Sequence, residues 1–598
     1  LEFSEFKALK SSTYTLASSR QQNGFDSQYK IFLQHLAADK LLSFFQKYSV
    51  LARLIGTAIN FWVEEKAEFI QRLATDLPVI QQTFQADVSQ LTEVKLNLSD
   101  PHNQGRSVIA LTFASGFKLI YKPRGLGLEK AYSELLNWCN QQSIEVLFKI
   151  IKVIDSKTHG WMEYVEHLPC DSEQAVQRYY QRSGMILCLL YILQATDFHH
   201  ENLIANGEHP VLIDLETLLQ PDACDIDPTM EEKRGAQYLA SKLVTSSVIR
   251  TGLLPRWEFD SQGNAVDDSG LGGVEEQEIA ARKRKWQNVN TDDMVMEYET
   301  GTMSVQANTV MLGDTFVSPN NYLKEIIDGF ETMYRLLSSR RQELLASDNP
   351  LQSLAHQKIR FLFRNSQIYA DVLDRAQQPK YLQHGIDYSI KLDVLSRAML
   401  VVDDKPPAWS LLAFELEAME QMDIPYFVTD SNSDALMLKN SQVARYFKES
   451  GYDRMVSRLQ QMSNDDLALQ VSIIRSSFQL RITQGKNNTA STDTKSVLSV
   501  DSQYELTQAE LVQEAVEIAK EIQKRAIHTA NGSITWIGME YNPEAGRYQL
   551  QPIGDSLYDG VCGIALFLAS VAKVTGNTGF KDLAIGALND LTESLLSP

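Results

Sequence analysis

The side chains best suited to chemistry lie close together in the segment ATDFHHENLIANGEHPVLIDLETLL, residues 195–219. Five of its side chains form the candidate set, with three carboxylates, one imidazole and one amide: Asp197, His199, Asn202, Asp214 and Glu216. Hard divalent cations prefer oxygen ligands of this kind, and Mg²⁺ commonly shares them with substrate phosphates. Phosphoryl transfer needs positioned metal ions, a charge clamp and a residue that orients the nucleophile. The pattern therefore predicts a kinase-like catalytic loop followed by a metal-binding loop.

The spacing within this segment suggests a division of roles. In a tight loop, Asp197 can face an incoming hydroxyl while the amide oxygen of Asn202 reaches a metal ion. Asp214 follows an apolar run and would approach the same metal from a separate strand. Asp, His and Asn in a turn usually just satisfy one another, so D-x-H-x-x-N alone is a weak signal. Its combination with a strand that ends in D-x-E is a stronger one.

A candidate phosphate clamp lies upstream, where the hydrophobic period changes to two and predicts strands. The segments EVKLNLS, SVIALTFA and FKLIYKPR follow one another from residue 93, and the third carries Lys122. A helical segment, LEKAYSELLNWCNQ, comes next. This is the order of a kinase N-terminal lobe, in which the strand lysine contacts phosphates and a helix glutamate. Glu129 and Glu134 are both candidates for that glutamate.

Further patterns complete the outline of a two-lobed protein. LFKIIKVID and HGWMEYVEH predict two strands, and backbone groups of residues 162–165 in the second could meet adenine at a hinge. Residues 175–196 predict a buried helix that leads into Asp197. The chain has neither G-x-G-x-x-G nor G-x-x-x-x-G-K-[ST], so a Rossmann or P-loop phosphate site is not supported.

Composition limits the classes of function. At 598 residues the chain is too long for one core, so several domains are expected. Its net charge of −20 argues against nucleic acid as the main partner. Five cysteines without a C-x-x-C pair predict a reduced, cytoplasmic protein. We expect no membrane span, because no apolar run approaches about 20 residues. Both ends look cut, since the sequence lacks an initiator Met and stops just after a helical pattern.

Several segments resemble class II lanthipeptide synthetases: GRSVIALTFASGFKLIYKPR, HGWMEYVEH, QATDFHHENLIANGEHPVLIDLETLLQP and FRNSQIYADVL. A later segment, SLYDGVCGIALFLASVAKVTG, resembles the opening of that family's cyclase domain. The resemblance implies an α+β fold with a lipid-kinase-like two-lobed core, extra helical regions and the first helices of an α/α toroid. It also implies a dehydratase that phosphorylates Ser and Thr of a leader-bearing precursor peptide with Mg-ATP. Elimination of the phosphate then leaves dehydroalanine or dehydrobutyrine.

The resemblance also implies roles for individual residues. The phosphorylation set would be Lys122, Asp197, His199, Asn202, Asp214 and Glu216, with Asn202 and Asp214 as Mg²⁺ ligands and Lys122, Asn202, Asp214 and Glu216 around ATP. The elimination set would be Asp100, His102, Arg360 and Ser366. Elimination needs a base, a cation for the departing phosphate and a general acid, and the Arg360 fork suits phosphate. The family usually carries Thr where this chain has Ser366, so we expect reduced elimination.

The expected domain order has five parts: a helical region at 1–90, an N-lobe and hinge at 91–168, a C-lobe with helical insertions and the elimination residues at 169–482, a Ser/Thr/Asn-rich linker at 483–503, and the start of a truncated cyclase-like domain at 504–598. The family's cyclase binds Zn²⁺ through two Cys and one His. Cys562 lies in a different motif, so we expect no zinc site and no thioether ring formation by this chain.

Two other functions stay open from the sequence. The chain could be a kinase that leaves phosphate on its substrate, or a kinase-like scaffold that only binds a peptide. The intact set of Lys122, Asp197, Asn202 and Asp214 argues against the scaffold. The precursor peptide, its leader-binding site, the number of dehydrations and the oligomeric state, a monomer included, are not decided by the sequence.

Overall fold

The computed structural model describes residues 5–7, 28–224, 235–259, 265–272, 277–400, 407–439, 441–482, 507–542 and 547–596. The predicted linker at 483–503 lies outside these residues. Helices alternate with small antiparallel sheets, and this mixture confirms the α+β class.

The chain begins with helices, as the period of its apolar residues predicts. They are α1 (Gln28–His35), α2 (Leu41–Lys47) and α3 (Ser49–Phe84). The 36-residue α3 is amphipathic, and its buried Phe69, Ile80 and Phe84 pack on the sheet that follows. Six of its 36 residues are buried, and packing of such an amphipathic face contributes more to the stability of a helix than propensity does.

The first sheet has five antiparallel strands in the order β1-β2-β3-β5-β4. Its elements are β1 (Leu91–Lys95), β2 (Ile109–Phe113), β3 (Lys118–Lys122), α4 (Gly127–Asn140), β4 (Val153–Asp155) and β5 (Gly160–Glu163). All five predicted strands and the helix are confirmed. Along β3, Leu119 and Tyr121 face the core under α3, whereas Ile120 and Lys122 face a cleft. The period of two in a strand places Lys122 on the side away from α3.

The middle of the chain is built around one buried helix. Its elements are α5 (Glu173–Ile192), β6 (Leu203–Asn206), β7 (His209–Leu212), α6 (Ala236–Thr245), β8 (Glu258–Phe259), β9 (Ala265–Val266), β10 (Gln277–Gln287), β11 (Val295–Met303), β12 (Met311–Leu312), β13 (Thr315–Phe316), α7 (Leu323–Ser339) and α8 (Arg341–Leu344). The predicted buried helix is confirmed, because most side chains of α5 are inaccessible. The backbones of α5 and α7 approach closely at Gly184 and Gly329.

A second antiparallel sheet, in the order β14-β15-β16-β17, lies beside the middle region. Its elements and the surrounding helices are β14 (Lys358–Phe361), α9 (Ser366–Ala376), α10 (Gly385–Leu392), α11 (Arg397–Leu400), α12 (Leu412–Glu420), β15 (Phe427–Asp430), β16 (Leu436–Leu438), β17 (Ser441–Val443), α13 (Gly451–Gln461) and α14 (Asn464–Ile482). The backbone N–H of Arg360 donates to the Glu216 carbonyl oxygen at 2.9 Å. This bond ties the edge strand β14 to the segment predicted to carry the chemistry.

The C-terminal part has its own apolar core. Its elements are α15 (Gln508–Lys524), β18 (Ile527–His528), β19 (Ile534–Thr535), β20 (Ile537–Asn542), β21 (Arg547–Pro552), α16 (Val561–Thr575), α17 (Thr578–Ala587) and α18 (Asn589–Leu596). The predicted helices are present, but the β20–β21 hairpin between them was not predicted. Trp536, Leu568 and Phe580 form the centre of the core.

Two further expectations concern the whole chain. All five cysteines lie within the described residues and none is paired in a disulfide. Among the helices that the structure describes, none combines the length and the apolar character that crossing a membrane requires.

Candidate active site

One cleft of about 1010 Å³, hereafter the main cleft, lies between the first sheet, the 197–216 segment and β14. All ten residues singled out from the sequence line it: Asp100, His102, Lys122, Asp197, His199, Asn202, Asp214, Glu216, Arg360 and Ser366. Met162, Tyr164 and Val165, in the strand predicted to act as a hinge, line it too. The structure thus brings residues that are up to 266 positions apart in the chain to one cavity.

The loop that begins at Asp197 is closed by local hydrogen bonds. Asp197 has a positive φ of 69°, which is uncommon for a residue other than glycine and recurs at functional sites. The side-chain amide nitrogen of Asn202 donates to the Asp197 carbonyl oxygen at 2.8 Å. The backbone N–H of Ile213 donates to the Asn202 carbonyl oxygen at 3.1 Å. The β6–β7 hairpin therefore returns the chain so that Asp214 lies beside Asn202.

His199 follows on the same loop and stays half-buried. Its Nδ1 accepts the backbone N–H of Glu201 at 3.4 Å. This bond fixes the ring at the start of a short 3₁₀ turn, His200–Asn202. Strand β6 begins directly after the turn, at Leu203.

Lys122 resolves the choice between the two candidate glutamates. Its Nζ lies 3.6 Å from Glu129 Oε1 and 3.5 Å from Asp214 Oδ1, and it donates to the carbonyl oxygen of Ile213. Glu129 is buried on the first turn of α4, whereas Glu134 is exposed. Glu129 is therefore the helix glutamate that pairs with Lys122.

Arg124 is a central residue that the sequence interpretation missed. Its guanidinium contacts three carboxylates: Glu129 at 2.5 Å, Glu216 at 3.1 Å and Asp214. With Lys122 and Arg360, it balances these three negative charges with three positive ones. The signal was present in the second basic residue of YKPR, to which no role had been given.

Burial and the neighbouring charges shift the pKa values of Asp197 and Asp214 in opposite directions. Burial alone would raise the pKa of Asp214, but Lys122, Arg124 and Arg360 hold it well below its ordinary value. Burial raises the pKa of Asp197, although His199 and Arg360 oppose this. Asp214 consequently stays an anion, while Asp197 is the stronger base of the two.

Arg360 connects the two predicted sets of residues. One terminal nitrogen of its guanidinium lies 2.6 Å from Glu216 Oε1, and the other lies 3.2 Å from His102 Nε2. Since a guanidinium only donates, His102 Nε2 must accept, which leaves the proton on Nδ1, 3.5 Å from the Ile424 carbonyl oxygen. Burial and the charge of Arg360 lower the pKa of His102, in keeping with a neutral ring.

Tyr426 is the second residue that the sequence interpretation missed. Its hydroxyl donates to Glu216 Oε2 at 2.9 Å, and the Arg360 guanidinium lies 5.2 Å from its ring centre. The His102 ring lies 5.5 Å from the same ring. Both oxygens of Glu216 are therefore engaged by side chains of the protein itself. No motif in the sequence marked Tyr426, which lies just before β15.

Asp100 and Ser366 stand at the edge of the site. Asp100 is exposed on the loop between β1 and β2, and Ser366 is the first residue of α9, whose N-cap is Asn365. Among the described residues, no hydrogen bond joins either side chain to His102 or Arg360. They line the same cleft without being fixed to its centre.

The fold and the cleft define an α+β protein in which a buried network of three cations and three carboxylates forms the centre of the site. The chain matches the family model DUF4135, a domain of unknown function, over residues 48–430. This match covers more than half of the sequence, and the chain belongs to the DUF4135 family.

A curated relative carries a biosynthetic name. The chain is 24% identical over 553 residues to the lacticin 481/lactococcin biosynthesis protein LcnDR2 of Lactococcus lactis subsp. lactis. The alignment covers 90% of this chain and 57% of that protein, so the chain spans little more than half of its relative's length. The motifs predicted a likeness to class II (LanM-type) lanthipeptide synthetases. The family match and this relative together confirm that prediction.

Proposed function

We propose that the chain acts in lanthipeptide biosynthesis as a dehydratase. It phosphorylates Ser and Thr of a leader-bearing precursor peptide with Mg-ATP and then eliminates the phosphate to leave dehydroalanine or dehydrobutyrine. The observation that carries this proposal is the ion pair between Glu216 and Arg360, because it joins the two predicted sets of residues within one cleft. The biosynthetic name of the relative supports the pathway.

In the phosphorylation step, Asp197 orients the substrate hydroxyl and takes its proton. A raised pKa suits this role, since a stronger base accepts a proton more readily. Asn202 and Asp214 would hold Mg²⁺, because amide and carboxylate oxygens are the hard ligands it prefers. When bound, Mg-ATP supplies the phosphoryl group and the metal neutralises its charge. Lys122, held by Glu129, is placed to contact the phosphates.

In the elimination step, a base removes the α-proton of the phosphorylated residue. The electron pair forms the Cα=Cβ double bond, the Cβ–O bond breaks, and the phosphate leaves with its oxygen. His102 is neutral and so able to accept a proton, and it lies beside Arg360, whose fork can bind two phosphate oxygens. Glu216 and Tyr426 hold that fork in place.

The architecture implied by the resemblance belongs to the same proposal. The first sheet with α4 would form the N-lobe, and α5 with the elements around it the C-lobe. The separate apolar clusters under α3 and around Trp536 support the division into a nucleotide-side lobe and a C-terminal unit that begins near 504. The helices α15 to α18 of the C-terminal part would be the first helices of an α/α toroid.

The test is mass analysis after incubation of the chain with Mg-ATP and a leader-bearing peptide rich in Ser, Thr and Cys. Loss of one water per modified residue is the expected result. Retained phosphate would instead identify a kinase, and an unchanged peptide that nevertheless binds would identify a scaffold. Asp197→Asn serves as the control, because it should abolish both phosphorylation and dehydration.

A further inference from the structure

A second cavity of about 510 Å³ lies on the other side of Arg360. We call it the lysine cavity, after Lys157, Lys358 and Lys439, which line it. Six residues line both this cavity and the main cleft: Asn103, Arg106, Arg124, Glu216, Arg360 and Tyr426. A ligand chain that passes Arg360 can therefore occupy both.

The floor of the lysine cavity is one face of the second sheet. Arg360, Val428 and Met437 pair in register across β14, β15 and β16, so their side chains share a face. Lys358 precedes Arg360 by two residues in β14, which places it on that face, and Lys439 lines the same cavity from the turn that follows β16. Met437 is 42% exposed, so the part of the floor that Val428 and Met437 form is apolar and open to a ligand.

The lysines of the cavity have no ion-pair partner among the described residues, whereas two of its three carboxylates are held by other groups. Lys157, Lys358 and Lys439 are exposed, and no carboxylate of the described residues forms an ion pair with them. Asp430 lies opposite Lys358 in the sheet, but its Oδ1 accepts the backbone N–H of Asn432. A second set of carboxylates lines the cavity: Glu216, Asp423 and Glu417. Glu216 is held by Arg124 and Arg360, and Asp423 accepts the backbone N–H of Gln104. Glu417 is exposed.

The separation of the lysines decides the kind of ligand. Lys358 and Lys439 are four rows of residues apart along the strands and two strands apart across the sheet. At about 3.3 Å per residue and about 4.8 Å per strand, their backbones are about 16 Å apart. No single phosphate group spans that distance, whereas an extended peptide does so with about five residues. Carboxylates near its ends and apolar side chains between them would match the floor.

We propose that the lysine cavity binds an extended, acidic and partly apolar segment of the peptide substrate, next to the residue held in the main cleft. This inference rests on the proposed function for the identity of the substrate. A single-stranded nucleic acid fits less well, because its bases need exposed aromatic side chains to stack on. Phe414 and Tyr426 are the aromatic residues that line the cavity, and the Tyr426 face is covered by Arg360.

The test is fluorescence anisotropy with a labelled peptide of ten alternating Glu and Leu residues, without nucleotide. A peptide with Gln in place of Glu should bind at least about tenfold more weakly, and added salt should remove the difference. The double substitution Lys358→Glu and Lys439→Glu should weaken the acidic peptide by a similar factor. It should also strengthen a Lys/Leu peptide, a gain that a misfolded variant would not show.

The matched control is Lys130→Glu with Lys573→Glu, which makes the same change of charge at two exposed lysines outside both cavities. Equal binding of the acidic peptide by wild type and the Lys358/Lys439 variant would overturn the proposal. The proposal would also be overturned if a ten-residue oligothymidylate bound as tightly as the acidic peptide and if the Lys358/Lys439 variant lost that binding. The binding assay measures no turnover, so its result does not depend on whether the chain dehydrates a peptide. A negative binding result likewise leaves the dehydration assay unaffected.

Discussion

Arg360 holds two partners with the planar fork of its guanidinium, a geometry that the single nitrogen of a lysine does not reproduce. Its guanidinium reaches Glu216 and His102 through different nitrogens. Arg360→Lys keeps the charge but loses one of these bonds, and a hydrogen bond to a charged group contributes about 1.5–3 kcal/mol. We expect elimination to slow by about tenfold or more while phosphorylation continues, so that phosphorylated peptide accumulates in the mass spectrum.

The control for this substitution is Arg375→Lys, which makes the same change on the exposed side of α9, outside the main cleft. It should leave the ratio of dehydrated to phosphorylated peptide unchanged. Full dehydration by Arg360→Lys at the wild-type rate would contradict the assigned role.

His102 makes the elimination step depend on pH in a specific direction. Burial and Arg360 lower the pKa of His102, so the neutral ring persists below the ordinary value of about 6.5. If the neutral ring accepts the proton, elimination should stay fast down to a pH below that value and then fall. The measurement uses a synthetic phosphoseryl peptide, so that phosphorylation does not enter. A midpoint at or above about 6.5 would exclude His102 as the proton acceptor.

At the scale of elements, the contact between α5 and α7 holds the buried helix that leads into Asp197. A Cβ added at Gly184 would lie 1.9 Å from the Ile326 carbonyl oxygen and 2.9 Å from the Phe330 backbone nitrogen. Gly184→Ala therefore forces two backbones apart, and overpacking of this kind costs about 1–3 kcal/mol. We expect a lower midpoint of thermal unfolding and a lower dehydration rate.

Gly56→Ala is the matched control in a helix. A Cβ at Gly56, in α3, meets no atom within 4 Å, and Ala is favoured over Gly in a helix interior by about 1 kcal/mol. This substitution should leave the midpoint unchanged or raise it. An equal loss from both substitutions would show that close packing is not the cause.

The main cleft is a property of the whole molecule, because its walls come from the first sheet, the 197–216 segment and the second sheet. A ligand that bridges these parts should stabilise them together. Mg-ATP at about 100 times its dissociation constant would add about 2.7 kcal/mol to the free energy of unfolding. We expect a clear rise in the unfolding midpoint of the wild type and almost none in Asp214→Asn, which loses a charged ligand for the metal.

Each protein in this measurement is compared with and without nucleotide, so that a change in the baseline stability of the variant does not enter. Lys324→Met, an exposed residue of α7 outside the cleft, should keep the full rise. An undiminished rise in Asp214→Asn would place the nucleotide elsewhere.

The sequence by itself determined the local elements and the residue types that could do chemistry. Strands of the first sheet follow from their period of two, and α5 from its length and apolar character, because these signals lie within a few residues of each other. D-x-H-x-x-N and D-x-E also lie in one short stretch, so their roles could be predicted without the fold.

Only the tertiary structure decided which distant side chains meet. Arg124, Tyr426 and the choice of Glu129 over Glu134 depend on how β3, α4 and β15 pack around the 197–216 segment. The lysine cavity likewise depends on strand register, since Lys358 and Lys439 line one cavity only once β14, β15 and β16 are paired. Contacts between such distant residues leave no periodic or local pattern in the chain, and packing alone creates them.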